Sequence, residues 1–217
     1  MKNLLIKEIR LASSPLSYIF LAAAALMLTP GYPILLSAFF ICFGVFHSFQ
    51  NAREANDVAY TVMLPVPKRD FVRAKFTFTC VIQMCGFALC AILTALRMTV
   101  MSGAEVYAKN ALMNASPVSL AFVLLIFTAF NVLFVGGFFR TAYKIGVPFL
   151  TFGVATFLLV GVGEALHFLP GMSFLNVPSG ERLGLQFAVL AVALVIYAAA
   201  TAISCRVSER RFERIDL

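Results

Sequence analysis

Charge is scarce in this chain, and so are the residues on which most enzymes and metal sites depend. Only 12% of its 217 residues are Asp, Glu, Lys or Arg, and 61% are hydrophobic. A soluble globular chain is about a quarter charged and about 45–50% apolar, so most of this one belongs in lipid. Tryptophan is absent, which leaves any interfacial aromatic belt to the six Tyr and 23 Phe. The two histidines, His47 and His167, lie far apart in sequence on opposite predicted sides. With no H-E-x-x-H they argue against a shared zinc site. No G-x-x-x-x-G-K-[ST] loop occurs, so ATP is not hydrolysed here by the usual phosphate cradle. No G-x-S-x-G elbow occurs. Asp57, Asp70 and Asp216 are the only aspartates, too few and too scattered for the paired-aspartate signature of a lipid head-group transferase. Cys42, Cys80, Cys85, Cys90 and Cys205 form no C-x-x-C pair and read as small apolar fillers. No catalytic residue, cofactor site or metal ligand is assigned to the chain.

What charge there is lies at the edges of apolar runs. A net charge of +7 would suit nucleic acid if it formed one stripe, but this spacing is that of membrane topology, and no nucleic-acid partner is expected. Apolar runs over about 16–29, 34–49, 76–98, 117–139, 145–159 and 186–204 predict six spans. The first follows Lys2, Lys7 and Arg10, as a signal peptide would, but no small-residue cleavage site follows and it reads as an uncleaved span. It is short against the roughly 20 residues a straight span needs. Residues 1–12 alternate charge with Leu and Ile, which predicts an interfacial helix, and Ser13, Ser14 and Pro15 form an elbow. Residues 160–185 are apolar but broken by Gly and Pro and read as a re-entrant outer segment; 206–217 is a polar tail. Fourteen of the 17 Lys and Arg fall in 1–15, 50–75, 140–144 and 206–217, the other three being Arg97, Lys109 and Arg182. The positive-inside rule therefore puts both termini in the cytoplasm. With no linker, repeat or low-complexity tract, 1–217 is one transmembrane domain.

The longest polar interruption, NAREANDVAYTVMLPVPKRDFVRAK over 51–75, organises the rest. Ala52, Ala55, Ala59, Val62 and Met63 recur at helical spacing, with Arg53 and Asp57 four apart on the other face. Pro65 and Pro67 end the helix, and Lys68, Arg69, Arg73 and Lys75 precede the next span.

Together with the N-terminal helix and six spans, the stretch S-F-Q-N-A-R-E-A-N-D…Y…L-P-V-P-K-R-D-F-V-R-A-K resembles the ABC-2 permeases. In particular it resembles the small bacterial ones that pair with a separate ATPase, such as the exporters of phenol-soluble modulins and related antimicrobial peptides. The likeness covers nearly the whole chain in layout, though its specific part is about 48–75. The resemblance implies an all-α integral membrane protein in the bacterial plasma membrane. It would have six transmembrane helices, an N-terminal interfacial helix (1–12), a cytoplasmic coupling helix (51–64) between spans two and three, and a re-entrant segment (160–185) between spans five and six. It also implies that ATP and Mg sit on a separate ATPase, present in two copies, and that a second permease subunit completes the path. Carried over, Arg53, Glu54, Asn56, Asp57 and Tyr60 would face the ATPase. Leu64, Pro65, Lys68 and Arg69 would set the exit into span three.

Polar residues inside the apolar runs are the remaining candidates. Glu164 and His167 would line an outer vestibule, or Glu164 would pair with Arg182 or Arg97 to hold the re-entrant segment, the favoured reading. Asn131 and Gln83 would bridge helices, with a place for Asn131 on the translocation path as the lesser alternative. Two other functions fit the layout. A substrate-capture subunit of a vitamin importer needs a polar pocket, for which the spans offer few groups. A non-transporting membrane enzyme or immunity protein would have no ATPase partner.

Overall fold

The computed structural model describes residues 2–101, 104–108, 112–141, 143–166, 168–170 and 182–215. Helix α1 covers Lys2–Lys7 and continues as a π turn over Glu8–Ala12. After Ser13 and Ser14 the chain enters α2, Pro15–Ile19, which tightens into a 3-10 helix over Phe20–Leu28. Pro15 occupies the first helical position and the Ser14 hydroxyl accepts the Leu16 amide at 3.3 Å, a polar helix start. The two helices meet at 92°, the elbow expected of Ser13, Ser14 and Pro15. The 3-10 stretch bears on the shortness of the first span. Fourteen α-helical residues reach about 21 Å, whereas five α-helical and nine 3-10 residues reach about 25 Å, nearer the hydrocarbon thickness of about 30 Å.

Helix α3 runs Leu36–Glu54, α4 Asp57–Val62, α5 Lys68–Thr99 and α6 Glu105–Ala108. Helix α7 spans Pro117–Thr141 with a π bulge at Phe130–Val135, α8 is Gly146–Leu166 and α9 is Leu183–Glu213. Four of these, α5, α7, α8 and α9, are long and apolar enough to cross a membrane, or five spans if α1 and α2 form one broken span. Helix α3 ends in Gln50, Asn51, Arg53 and Glu54, and this polar last turn dilutes its apolar run. Helix α7 is the centre of the bundle, with 72% of its apolar window buried against 22% in α8 and in α9.

Several boundaries differ from expectation. The helix of the fifth span continues past 159 through Leu166, so 160–166 of the expected re-entrant segment belongs to it; residues 167 and 171–181 of that segment lie outside the described residues. The first part of the polar 206–217 tail is helical, since α9 continues to Glu213. Helix α5 begins at Lys68, directly after Pro67, and its 32 residues extend about 48 Å, well beyond the hydrocarbon. Its basic first turns and the last turns of α9 are held side by side outside the apolar zone.

Small residues allow the closest helix contacts. A Cβ on Gly44 would lie 2.8 Å from Phe20 Cβ and 3.1 Å from the Leu16 carbonyl oxygen, so α2 and α3 touch backbone to backbone. Ser17 seals the contact by donating to the Gly44 carbonyl at 2.7 Å, beside Ser48, whose hydroxyl accepts the Ser14 amide at 2.8 Å. Phenylalanines fill the wider gaps. Phe39, Phe43, Phe46 and Phe149 stack between α3 and α8, and Phe71, Phe139 and Phe212 join α5, α7 and α9 at the basic end.

Candidate functional site

Residues 51–64 do not form one helix. Helix α3 carries on to Glu54, Asn56 adopts a left-handed conformation with φ 50°, and α4 restarts at Asp57. Asn tolerates that conformation better than other residues with a Cβ. The break resets the helical phase, so the face that looked apolar in sequence is not the face that is buried. Asp57, Val58 and Thr61 point inward, while Ala55, Ala59 and Met63 are exposed. Arg53 and Asp57 consequently do not meet: the Arg53 guanidinium sits 5.7 Å from the Tyr143 ring centre, and Asp57 turns to two lysines.

Those lysines complete a buried ionic cluster contributed by three elements. Lys75 Nζ from α5 lies 2.6 Å from one Glu8 oxygen and 3.4 Å from Asp57. Lys7 pairs with Asp57, lies 3.7 Å from the other Glu8 oxygen and donates to the Thr61 hydroxyl at 2.6 Å. Glu8 and Lys75 are 1% exposed, and the Phe49 and Phe71 rings flank the Lys75 ammonium at 5.6 Å. Two cations thus offset two carboxylates: Glu8 and Lys75 are sealed from solvent, where an unpaired charge would be costly, while Lys7 and Asp57 reach the wall of an open cleft. Burial pushes the Asp57 carboxyl up, but the charges of Lys75 and Lys7 outweigh it and leave it below its ordinary value of 3.8. Helix α4 is thereby locked to α1 and α5 and cannot shift without moving both.

The outward side of α4 has the opposite character. Tyr60 is 65% exposed, Met63 84% and Leu64 38%, and Glu54, Asn56 and Pro65 are exposed beside them. Glu54 accepts a hydrogen bond from Gln50 at 3.1 Å. A cleft of about 290 Å³, lined by Leu11, Asn51, Ala52, Ala55 and Tyr60 among others, opens between this surface and α1. Exposed Tyr and Met around a cleft are the composition of a protein-binding surface. Lys68 and Arg69 face elsewhere. Lys68 donates to the Ile215 carbonyl at 2.7 Å, Arg69 grips Glu213 with two nitrogens, and Arg73 does the same to Glu209 at 2.8 and 3.2 Å. They tie α5 to α9.

Residues 3–209 match the family model described as ABC-2 family transporter protein. The chain belongs to that family. Neither a curated protein nor a solved structure matches it. As an ABC-2 permease it is a multi-pass membrane component of an ABC transporter, and the family implies a partner ATPase.

The permease's polar residues within the bundle form two further groups. Asn131, at the π bulge of α7, donates to Gln83 on α5 and to Thr201 on α9, each at 3.0 Å. Tyr197 donates to the same Gln83 oxygen at 2.9 Å, and Ser204 donates to the Asn131 carbonyl at 3.0 Å. Asn131 and Gln83 therefore bridge helices, as expected. Their α9 partners carry a sequence signal of their own, since Tyr197, Thr201 and Ser204 form a polar stripe at four- and three-residue spacing on an apolar helix. At the opposite end, Arg97 does not pair with Glu164 but turns into the bundle. It is 5% exposed, donates to the Met27 carbonyl at 2.6 Å and lies 4.2 Å from the Tyr107 ring centre. Tyr107 donates to the Leu28 carbonyl at 2.8 Å, so both residues cap the last carbonyls of α2. Glu164 accepts the Met113 amide at 2.6 Å and so fastens the segment before α7 to α8. His167 lies outside the described residues.

Proposed function

We propose that this permease is the path-forming subunit of an ATP-driven exporter, and that the exposed Glu54–Leu64 surface docks on the ATPase. The observation carrying this reading is the split character of α4: an exposed Tyr60, Met63 and Leu64 face backed by a buried ionic cluster reaching α1 and α5. A surface that receives force needs both accessible contacts and a stiff connection to the spans. ATP hydrolysis belongs to the partner, which supplies the energy while this chain supplies the path. Two ATPases would act on two permeases in the plasma membrane, with both termini and α4 in the cytoplasm, where the Lys and Arg excess puts them. Amphipathic peptides or lipid-like molecules are the cargo that best suits a path among phenylalanines with few polar groups.

Within this reading Arg53, Glu54, Asn56 and Tyr60 make the contact, Leu64 and Pro65 set its edge, Asp57 holds it from behind, and Lys68 and Arg69 brace the start of α5 against the end of α9. The test is co-purification with the partner ABC ATPase that the family implies. Glu54→Lys combined with Tyr60→Ala should lose the partner while the permease remains folded. Retention of the partner at wild-type yield would refute the docking surface. Tight binding of a small vitamin by the isolated chain would favour an importer subunit instead.

A further inference from the structure

At the basic end of the bundle, the turn from α7 to α8 carries two cations that the ionic ties described above leave out. Lys7, Lys75, Arg69 and Arg73 all meet carboxylates. Arg140 and Lys144 are exposed, and among the described residues neither is paired with one. They stand over a cleft of about 440 Å³ between the end of α7 and the start of α8. Leu133, Val147 and Pro148 form its apolar side, and Thr141 and Thr151 add hydroxyls. The helices converge beneath it, since a Cβ on Gly137 would come within 3.0 Å of Pro148 Cβ. From the lip of the cleft, Leu150, Val154, Phe157 and Leu158 continue as an exposed apolar strip along α8.

Positive charge at one end, an apolar trough beside it and an apolar strip leading toward the bilayer middle match one chemistry. We propose that this cleft holds an anionic phospholipid of the cytoplasmic leaflet, its phosphate between Arg140 and Lys144 and an acyl chain along α8. A soluble anion would use the two cations but not the strip. A zwitterionic lipid would use the strip but gain much less from the cations. The turn contacts α3 through the Arg53 guanidinium, 5.7 Å from the Tyr143 ring centre, so a lipid bound there lies beside the α3–α4 end of the permease. The site rests on the chain's spanning a membrane with this end inward and not on the ATPase docking surface.

The experiment is native mass spectrometry of the full chain in detergent titrated with phosphatidylglycerol or phosphatidylcholine. Wild type should hold phosphatidylglycerol in preference. Arg140→Gln with Lys144→Gln should weaken it by roughly thirtyfold, because two interfacial cations are lost. Arg140→Lys with Lys144→Arg should restore binding, and Val147→Trp, which fills the lip without altering charge, should weaken it. Arg206→Gln with Arg210→Gln, two exposed arginines outside the cleft, should have no effect. Equal retention of both lipids, an equal loss in the Arg206/Arg210 variant, or displacement by millimolar inorganic phosphate would each overturn the proposal. Disulfide-linked dimers from a Val147→Cys variant would do so too, by showing that a second copy covers the cleft.

Discussion

Lys75 and Glu8 stand 67 positions apart in sequence, yet the Lys75 ammonium lies 2.6 Å from a Glu8 carboxylate oxygen with both side chains sealed from solvent. Removing one partner strands the other. Lys75→Met should cost about 3–5 kcal/mol, the usual penalty for leaving a buried charge uncompensated. Glu8→Gln with Lys75→Gln should cost less than Lys75→Met alone. Unfolding in mixed detergent with a helix-sensitive signal measures both, and additivity of the two single changes would contradict the pairing.

Asp57 makes the cluster sensitive to acid. Its carboxyl is held below 3.8 in the folded chain, so the unfolded state binds the proton more readily. The stabilisation is complete above about pH 4–5 and is lost as pH falls through the lowered folded value. Thermal unfolding of wild type and Asp57→Asn should therefore differ by a constant amount from pH 8 to 5 and converge below pH 4. A gap that opens only on acidification would have the wrong sign.

Gly44 and Gly153 offer a paired test of close helix contact. A Cβ at Gly44 meets Phe20 and the Leu16 backbone, whereas one at Gly153 meets nothing within 4 Å. Gly44→Ala should destabilise by roughly 1–3 kcal/mol through overpacking. Gly153→Ala should be neutral or slightly stabilising, since Ala is the better helix former. Thermal midpoints of the two variants in one detergent decide the matter.

Asn131→Leu should cost roughly 1–2 kcal/mol, within the range for hydrogen bonds between membrane helices. Gln83→Leu combined with it should add little, because the two side chains share one network. Independent, additive losses would show that the bond between them contributes nothing.

How far the sequence foretold this architecture depended on how local the signal was. The elbow at Ser13–Pro15 and the stop at Pro65 and Pro67 are written in single residues with fixed backbone preferences. Asn131 and Gln83 could be flagged because a polar group in an apolar run needs a partner. The phase of α4 could not be read, since one left-handed Asn56 rotates everything after it and converts an expected single helix over 51–64 into two. Nor could the role of Asp57, because its partners Lys7 and Lys75 are brought to it only by the packing of α1 and α5. Glu209 and Glu213 looked like an ordinary polar tail until α9 carried them alongside Arg73 and Arg69.

Force from a partner can enter the permease only through the side of α4 that meets another protein. A photo-crosslinking amino acid placed at Tyr60, on the exposed face, and at Val58, on the buried face, reads this directly in membranes containing the intact transporter. Tyr60 should yield a crosslink to the ATPase and Val58 a crosslink only within the chain. Crosslinks from Tyr60 to lipid alone, or labelling of that position from outside the cell, would contradict a docking surface on the cytoplasmic side.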